Sequence, residues 1–341
     1  MFSRIKKINL PFISFELTSV CNLNCKYCYN HWKAPAYKGH EPFNSYNQSK
    51  RTLKRLFKMA TVRQLTFTGG EPFMAERFKE LVLYSRMKKA NVSVITNGNV
   101  GTFYDYRQLK NLGVSLFELP IHSASSGPHD EMTGTKDSWK KSVQSVNDLL
   151  NIGANVVAVV VITKINYTKI AETLTFINSL GISRIMLNRF NIGGQGIREA
   201  EKLSLSKAEI NRAFAQASEV GKTLKLGLSS NVCTPLCFAD PAKFPNIRFS
   251  TCSPEVSKRP LTLSMNGDLR FCNHSPVVLG NIFHSSFEKM FASDEAQLWN
   301  NSVPDLCTDC SLYSKCMAGC RAASQQMGNG LNIADPVVYN L

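Results

Sequence analysis

Three closely spaced cysteines are the most reactive feature of the sequence: Cys21, Cys25 and Cys28. Thiolates at this spacing can bind one metal centre from a single loop, and they favour zinc or iron–sulfur clusters. With no obvious fourth ligand nearby, one metal position stays open, which is what a catalytic metal needs. Spacing alone leaves open a zinc knuckle completed by a distant side chain such as His31.

A second set of cysteines lies in the last third of the chain. Its final run has the spacing C-x2-C-x5-C-x3-C, which by itself also fits a fragment of a zinc ribbon. The chain holds 11 cysteines, an odd number, and no apolar signal segment follows the basic N-terminal stretch 1–7. Metal or redox chemistry is therefore favoured over disulfides. The members of the set are Cys233, Cys237, Cys252, Cys272, Cys307, Cys310, Cys316 and Cys320.

The composition predicts a globular protein with a strong positive charge. Of 341 residues, 40 are Lys or Arg and 25 are Asp or Glu, which gives a net charge of +15. The excess fits an acidic peptide or an anionic cofactor, and it also fits a zinc-stapled nucleic-acid-binding protein. We favour nucleic acid least, because the lysines are dispersed and the densest stretch, 50–58, has the spacing of one exposed helix face. No apolar stretch approaches the ~20 residues that span a bilayer, so we expect no membrane association.

The elements that must position the first cysteines are alternating strands and helices. Between residues 11 and 223 the hydrophobic pattern predicts six strand–helix units, an α/β fold with a parallel sheet curved toward a partial barrel. Periodicity does not distinguish this barrel from an open doubly wound sheet. After a boundary near 224–235, a hairpin with an Asn266-Gly267 turn is expected at 261–271. The predicted strands are 11–18, 64–68, 92–96, 114–121, 154–163 and 183–190.

The first cysteine motif, C-x3-C-x-aromatic-C, resembles the signature of the radical S-adenosylmethionine (SAM) superfamily. The resemblance implies a partial (β/α)6 barrel in which Cys21, Cys25 and Cys28 hold three irons of a 4Fe–4S cluster. The fourth iron binds SAM, which is cleaved to a 5′-deoxyadenosyl radical that abstracts hydrogen from the substrate. In that family the protein positions and tunes cofactors that carry the chemistry.

Further motifs fall where this family has its SAM contacts. Gly69-Gly70-Glu71-Pro72 ends the second predicted strand and resembles the motif that meets the SAM amino group. Glycine lets the backbone approach a ligand closely, and a carboxylate complements an ammonium group. Tyr27 matches the aromatic residue that borders adenine, and Asn97 matches a polar residue near SAM.

The end of the fourth strand departs from the family pattern. Many relatives have Ser-Leu-Asp there, with the serine on the ribose, whereas this chain has Pro120-Ile121-His122. The ribose contact is therefore unassigned. His122, His129 and Asp130 are candidates for touching the substrate or transferring a proton. Surface or structural roles for these side chains are the alternative.

The C-terminal cysteines resemble the SPASM extension of peptide-modifying radical SAM enzymes, which binds auxiliary iron–sulfur clusters. Six of the seven expected cysteines match, and the last one, after Cys320, has no counterpart. The resemblance implies two auxiliary 4Fe–4S clusters. The first would take Cys237, Cys252, Cys272 and Cys320. The second would take Cys307, Cys310 and Cys316, with a fourth position held by Cys233 or open.

The expected domains are a radical SAM core at 11–223, a bridging segment at 224–251 and a SPASM domain at 252–335. The resemblance implies a cytoplasmic maturase that installs a thioether, a C–C crosslink or an epimerised residue in a ribosomally made peptide. A radical SAM enzyme acting on a small molecule, or as a sulfatase-type maturase, is the alternative. Because 20 residues precede Cys21, we expect a separate leader-recognition protein. We also expect an electron donor such as flavodoxin or ferredoxin.

Overall fold

A computed structural model describes residues 7–38, 43–253 and 255–339. Most of the basic N-terminal stretch, residues 1–6, lies outside the described residues. Within them, eleven strands form one sheet in the order β11-β10-β9-β1-β2-β3-β4-β5-β6-β7-β8. The strands are β1 Ile8–Glu16, β2 Ala60–Thr68, β3 Asn91–Ile95, β4 Val114–Pro120, β5 Val156–Ile162, β6 Arg184–Arg189, β7 Gly227–Ser230, β8 Ile247–Phe249, β9 Thr262–Ser264, β10 Asp268–Arg270 and β11 Val278–Asn281.

Helices connect the parallel strands, and some of them begin at a side chain that caps the first turn. Thr102 and Asp105 form a reciprocal capping box at one helix, and Ser206 and Glu209 form another. Such boxes satisfy backbone N–H groups that have no partner within the helix. The helices are α1 Tyr46–Met59, α2 Phe78–Met87, α3 Phe103–Asn111, α4 Ser126–Thr133, α5 Ser138–Asn151, α6 Ile170–Ser179, α7 Ala200–Leu203, α8 Lys207–Thr223, α9 Phe287–Phe291, α10 Asp294–Asn301, α11 Tyr313–Cys316 and α12 Arg321–Gln326.

The two faces of the sheet differ in polarity. The face that packs against the helices is apolar, and on β4 it carries the fully buried Phe117 and Leu119. Alternate residues point to the other face, which we call the inner face. There Thr66 and Ser93 join neighbouring strands by a hydroxyl–hydroxyl hydrogen bond of 2.7 Å. The inner face can therefore present polar groups to a ligand.

The six predicted strand–helix units and the hairpin are confirmed, with shifted ends. β2 begins at Ala60, directly after α1 ends at Met59, where the sequence predicted a start at 64. The sequence missed α4, whose Ser and Gly residues at the start resemble a loop. The sheet also continues through β7 and β8, beyond the expected core boundary at 223, and β9 pairs with β1 in parallel. The C-terminal hairpin is thus part of the same sheet.

The basic face of α1 is only partly free. The Arg55 guanidinium donates to the Ile282 carbonyl at 2.8 Å, and Arg51 lies over the Phe283 ring at 4.6 Å. Part of the charge assigned to an exposed helix face therefore attaches α1 to the C-terminal segment. In the part of the chain that the structure describes, no helix has the length and apolar character needed to cross a membrane.

Candidate active site

The loop that carries the first three cysteines is joined by backbone hydrogen bonds to the Gly69–Glu71 segment. Gly70 N–H donates to the Thr18 carbonyl at 2.6 Å, and Glu71 N–H donates to the Val20 carbonyl at 2.8 Å. The Asn30 side chain donates to the Gly69 carbonyl at 3.0 Å. Two motifs some 40 residues apart in the sequence thus form one unit at the carboxyl ends of β1 and β2.

Glu71 is buried and held by three donors. Its carboxylate accepts from the Thr96 hydroxyl at 2.8 Å, from Asn97 N–H at 2.8 Å and from Phe73 N–H at 3.1 Å. Burial raises the pKa of Glu71 to about 7, and these hydrogen bonds oppose the rise. The carboxylate has a fixed orientation. Pro72 begins the short turn Pro72–Met74 that follows it.

Asn97 connects this carboxylate to the cysteine loop. Its side-chain amide donates to Asn22 Oδ1 at 2.8 Å and lies 3.7 Å from Cys21 Sγ. The structure therefore brings the residues expected at SAM, Glu71 and Asn97, to the first cysteine. Sequence analysis missed Thr96, although its place directly before Asn97 at the end of β3 was the available signal.

The first three cysteines are half-buried thiols that influence one another electrostatically. Burial is the main cause that raises the pKa of Cys25 to about 12, and the neighbouring Cys28 and Cys21 add to it. Burial also raises the pKa of Cys28. The Cys25 and Cys28 thiols therefore stay protonated at neutral pH, so binding of a metal cluster must release protons.

Tyr27 and two histidines form a buried stack beside the cysteine loop. The Tyr27 ring meets His122 edge-on, with ring centroids 4.6 Å apart, and His122 stacks on His129 at 5.2 Å. His122 Nδ1 accepts from Val161 N–H, and His129 Nδ1 accepts from His122 N–H, both at 3.2 Å. Their protons therefore lie on Nε2 in the neutral rings.

These contacts disagree with the expectation that His122 and His129 touch the substrate. Both side chains have no exposed area. Burial lowers the pKa of His129 to about 4 and that of His122 well below its ordinary range. The imidazoles are therefore neutral packing elements that hold the ends of β4 and β5.

Asp130 likewise has a structural position instead of a substrate contact. Its carboxylate accepts from Asp137 N–H, from the Ser138 hydroxyl and from Trp139 N–H, each at 2.8 Å. These donors lie at the start of α5. Asp130, which lies in α4, therefore caps the N-terminus of α5. This position does not support the expected proton-transfer role.

The eight C-terminal cysteines divide into two groups of four. Cys233 hydrogen-bonds with Cys252, and it interacts electrostatically with Cys320 and Cys272. Cys237 instead interacts electrostatically with Cys316 and Cys310. Cys307 interacts with Cys237, Cys310 and Cys316. The first group is therefore Cys233, Cys252, Cys272 and Cys320, and the second is Cys237, Cys307, Cys310 and Cys316.

This grouping corrects the expected one, which had Cys237 in the first group. The segment that carries both cysteines crosses from one group to the other. The Arg189 guanidinium donates to the Cys233 carbonyl at 2.8 Å and pairs with Asp335, which accepts from Cys320 N–H at 2.8 Å. Three residues beyond Cys233, Leu236 N–H donates to Cys316 Sγ at 3.3 Å.

The residues between the first cysteines and the first C-terminal group were also missed from sequence. The Asn273 amide donates to the Tyr29 hydroxyl at 2.6 Å, which links the residue after Cys28 to the residue after Cys272. Nearby, Arg270 forms a fully buried ion pair with Glu16. Arg270 also contacts His31 Nδ1 at 2.9 Å, so one ring nitrogen of His31 is already engaged.

The thiols fit iron–sulfur clusters. Among the described residues, no three His, Cys, Asp or Glu side chains are arranged to hold a single metal ion. In a 4Fe–4S cluster each cysteine binds a different iron, so the sulfurs surround the cluster and do not converge on one atom. A trio beside Glu71 and two quartets of free cysteines match one open cluster and two closed ones.

The fold and the cysteine groups define an iron–sulfur enzyme with its reactive centre at the carboxyl end of a parallel sheet. The "Radical SAM superfamily" model matches residues 15–177, and the SPASM "Iron-sulfur cluster-binding domain" model matches residues 252–311. The chain belongs to the radical SAM superfamily and carries a SPASM domain. Its cofactors are accordingly SAM and 4Fe–4S clusters.

Relatives and solved structures cover nearly the whole chain. The "PqqA peptide cyclase" of Xanthomonas campestris pv. campestris (strain B100) is 22% identical over 95% of this chain and 85% of its own. The "Antilisterial bacteriocin subtilosin biosynthesis protein AlbA" of Bacillus subtilis (strain 168) is 27% identical over 89% of this chain and 64% of its own.

Two solved structures have the same fold. Streptococcus suis SuiB bound to S-adenosylmethionine superposes with a TM-score of 0.71 and 16% identity, over 98% of this chain and 77% of SuiB. Native anSMEcpe with bound AdoMet and the Cp18Cys peptide gives a TM-score of 0.73 and 15% identity, over 97% of this chain and 94% of anSMEcpe.

Proposed function

We propose that this radical SAM enzyme modifies a peptide, and that it joins two of its residues through a thioether or a C–C bond. When bound, SAM and the first cluster supply the radical that removes a hydrogen atom from the substrate. The observation that carries the proposal is the placement of Glu71, Asn97 and Cys21 in one hydrogen-bonded unit, with two further cysteine quartets in the same chain. The names of the relatives, among them a peptide cyclase and a bacteriocin biosynthesis protein, support a peptide substrate.

Epimerisation is the less favoured modification. It needs a hydrogen donor, often a cysteine thiol. Cys233 was the candidate for a free thiol, but it lies with Cys252 in a quartet. With three, four and four cysteines assigned to clusters, none of the 11 cysteines remains for this task.

We propose that Cys233 completes the first auxiliary cluster and Cys237 the second. Cys237 thereby takes the position of the C-terminal cysteine that the SPASM pattern lacks here. Replacing either residue with Ala should lower the iron content by about one cluster, from about 12 irons in the wild type. The Cys237→Ala variant should lose the more exposed cluster, because Cys237 and Cys310 are exposed. The assignment fails if each variant loses the cluster expected of the other, as distinguished by electron paramagnetic resonance.

The function is tested by mass spectrometry under anaerobic conditions. Candidate precursor peptides are incubated with reconstituted enzyme, SAM and dithionite, and 5′-deoxyadenosine is quantified in parallel. We expect a peptide that has lost two hydrogen atoms. Zinc in place of iron, with steeply salt-dependent nucleic-acid binding, would support the zinc-stapled alternative instead. The control variant with Cys21, Cys25 and Cys28 all changed to Ala should keep the auxiliary irons and form no 5′-deoxyadenosine.

We further propose a protein electron donor, such as flavodoxin or ferredoxin, and a separate leader-recognition protein. The exposed thiols of Cys237 and Cys310 bring the second quartet to the surface, where a redox partner can reach it. Oxygen-sensitive clusters suit the reducing cytoplasm. Substituting flavodoxin and its reductase for dithionite in the peptide assay tests the donor.

A further inference from the structure

Glu118 is a carboxylate on the inner face of the sheet, and it has no part in binding SAM or the iron–sulfur clusters. The register of β3, β4 and β5 places Glu118 beside Ile95 and Val157, on the face opposite the buried Phe117 and Leu119. The residue is half-buried, so its carboxylate remains reachable from the space that the inner face borders.

Other buried carboxylates nearby are neutralised or held. Glu16 is paired with Arg270, and Glu71 accepts three hydrogen bonds. Within residues 7–38, 43–253 and 255–339, the Glu118 carboxylate has neither a hydrogen bond nor an ion pair. Burial is the only cause that raises the pKa of Glu118, to about 7. An uncompensated carboxyl with a pKa near neutrality is typical of a catalytic acid or base.

Glu118 also lies near the residues that bridge the cysteine groups. It is among the charges that raise the pKa of Tyr29, together with Cys28, Glu16 and Cys272. Tyr29 therefore lies between the first cysteines and the first auxiliary quartet, with Glu118 in its electrostatic range. A substrate bound between these two groups of cysteines would meet the carboxylate.

We propose that Glu118 is the catalytic base that accepts a proton from the substrate as the new bond forms. This inference rests on the proposed function. The substrate carbon loses a hydrogen atom to the 5′-deoxyadenosyl radical, and a second substrate group, X–H, bonds to that carbon. The proton of X–H goes to the Glu118 carboxylate, and the remaining electron goes to an auxiliary 4Fe–4S cluster, the oxidant of the step. One C–H and one X–H bond are broken, one C–X bond forms, and the peptide loses two hydrogens.

The other titratable groups facing this region are not suited to the task. Tyr29 is a neutral phenol whose pKa burial raises further, and Glu16 is occupied by Arg270. His274, which packs on Tyr29, is buried, and burial lowers its pKa to about 3. His122 and His129 are fully buried. Product formation should therefore follow the deprotonated fraction of Glu118. It should fall about tenfold for each pH unit below about 7 and level off above it.

The test compares Glu118→Gln, Glu118→Asp and a surface control, Glu219→Gln on the exposed side of α8, using the precursor peptide that the wild type converts. General-base catalysis contributes about 10²- to 10⁴-fold, so at saturating SAM Glu118→Gln should lower product formation at least about 100-fold and lose the pH dependence that comes from Glu118. The formation of 5′-deoxyadenosine, the iron content and the peptide affinity by fluorescence anisotropy should stay within about threefold of the wild type. The Asp variant should recover part of the activity, and the Glu219 control should match the wild type.

Infrared spectroscopy gives a readout that needs no peptide. The wild type should show carboxylic-acid C=O bands from Glu118 and Glu71 that disappear as the pH rises through about 7, and Glu118→Gln should lose the Glu118 band while the Glu71 band remains. If Glu118→Gln keeps wild-type product formation, or loses iron and product together, Glu118 is not the catalytic base, and the proposed function is unaffected. A wild type that forms 5′-deoxyadenosine but converts no candidate peptide refutes the proposed function, and the Glu118 assignment with it.

Discussion

Gly70→Ala is a substitution whose effect can be worked out from the close contact between two backbone segments. An added Cβ would lie 2.6 Å from the Val20 carbonyl carbon and 2.8 Å from the Ser19 oxygen, and nearer still to the Val20 oxygen. These atoms belong to the backbone that leads into Cys21. No side chain can rotate to make room, so the two segments must separate.

The required displacement sets the magnitude. Non-bonded atoms are comfortable at about 3.5–4.0 Å, so the segments must move apart by about 1 Å. Overpacking of this kind costs about 1–3 kcal/mol. With an unfolding entropy of about 2.1 cal/mol/K per residue, the melting temperature of this 341-residue chain should fall by about 1–4 °C. The same movement stretches the hydrogen bonds from Gly70 to Thr18 and from Glu71 to Val20.

The assay is differential scanning fluorimetry of the apoprotein, followed by iron analysis after reconstitution. Gly70→Ala should melt earlier and hold the SAM-binding cluster less completely, while the auxiliary irons remain. Gly127→Ala is the matched control, because no atom lies within 4 Å of its added Cβ and the residue is in α4. Equal melting temperatures and equal iron content for both variants would refute the argument that Gly70 is needed for this close approach.

Three further substitutions test other parts of the site. Glu71→Gln should weaken SAM binding about 10- to 100-fold, as measured by isothermal titration calorimetry. The SAM affinity of the wild type should fall as the pH drops below about 7, because the Glu71 carboxylate is then protonated. The SAM affinity of the variant should not change over this pH range. Asp130→Ala should lower the free energy of unfolding in urea by about 0.5–2 kcal/mol, because α5 loses its cap, and the variant should still form 5′-deoxyadenosine. A large loss of turnover in a folded variant would instead support a catalytic role for Asp130. Arg270→Met should cost about 3–5 kcal/mol because it leaves the buried Glu16 carboxyl without its partner, and the double variant with Glu16→Gln should recover most of this loss. Additive losses would argue against the ion pair.

The strand–helix alternation was readable from sequence because each strand is a short apolar run bounded by turn residues. Local signals also located the Asn266-Gly267 hairpin. They failed where structure depends on distant partners. β7 and β8 are only four and three residues long, and they are strands because β6 offers an edge with which to pair.

The roles expected of His122, His129 and Asp130 show the same limit. Residue type marked them as able to transfer protons, but their environment decides whether they do so. The imidazoles became buried acceptors of backbone N–H groups, and the carboxylate became a helix cap. Glu118, which no motif marked, became exposed to the inner face because strand register placed it there.

The sequence by itself determined the chemistry of this protein: the spacing of Cys21, Cys25 and Cys28, the Gly69–Pro72 motif and the C-terminal cysteine run. These motifs are informative because each places its functional groups within one local loop. Only the tertiary structure decided how Cys233 and Cys237 divide between the quartets, since their partners lie up to 87 residues away and depend on the path of the chain. The same holds for the Glu16–Arg270 pair and for Glu118, because burial and neighbouring charge arise only when distant segments pack together.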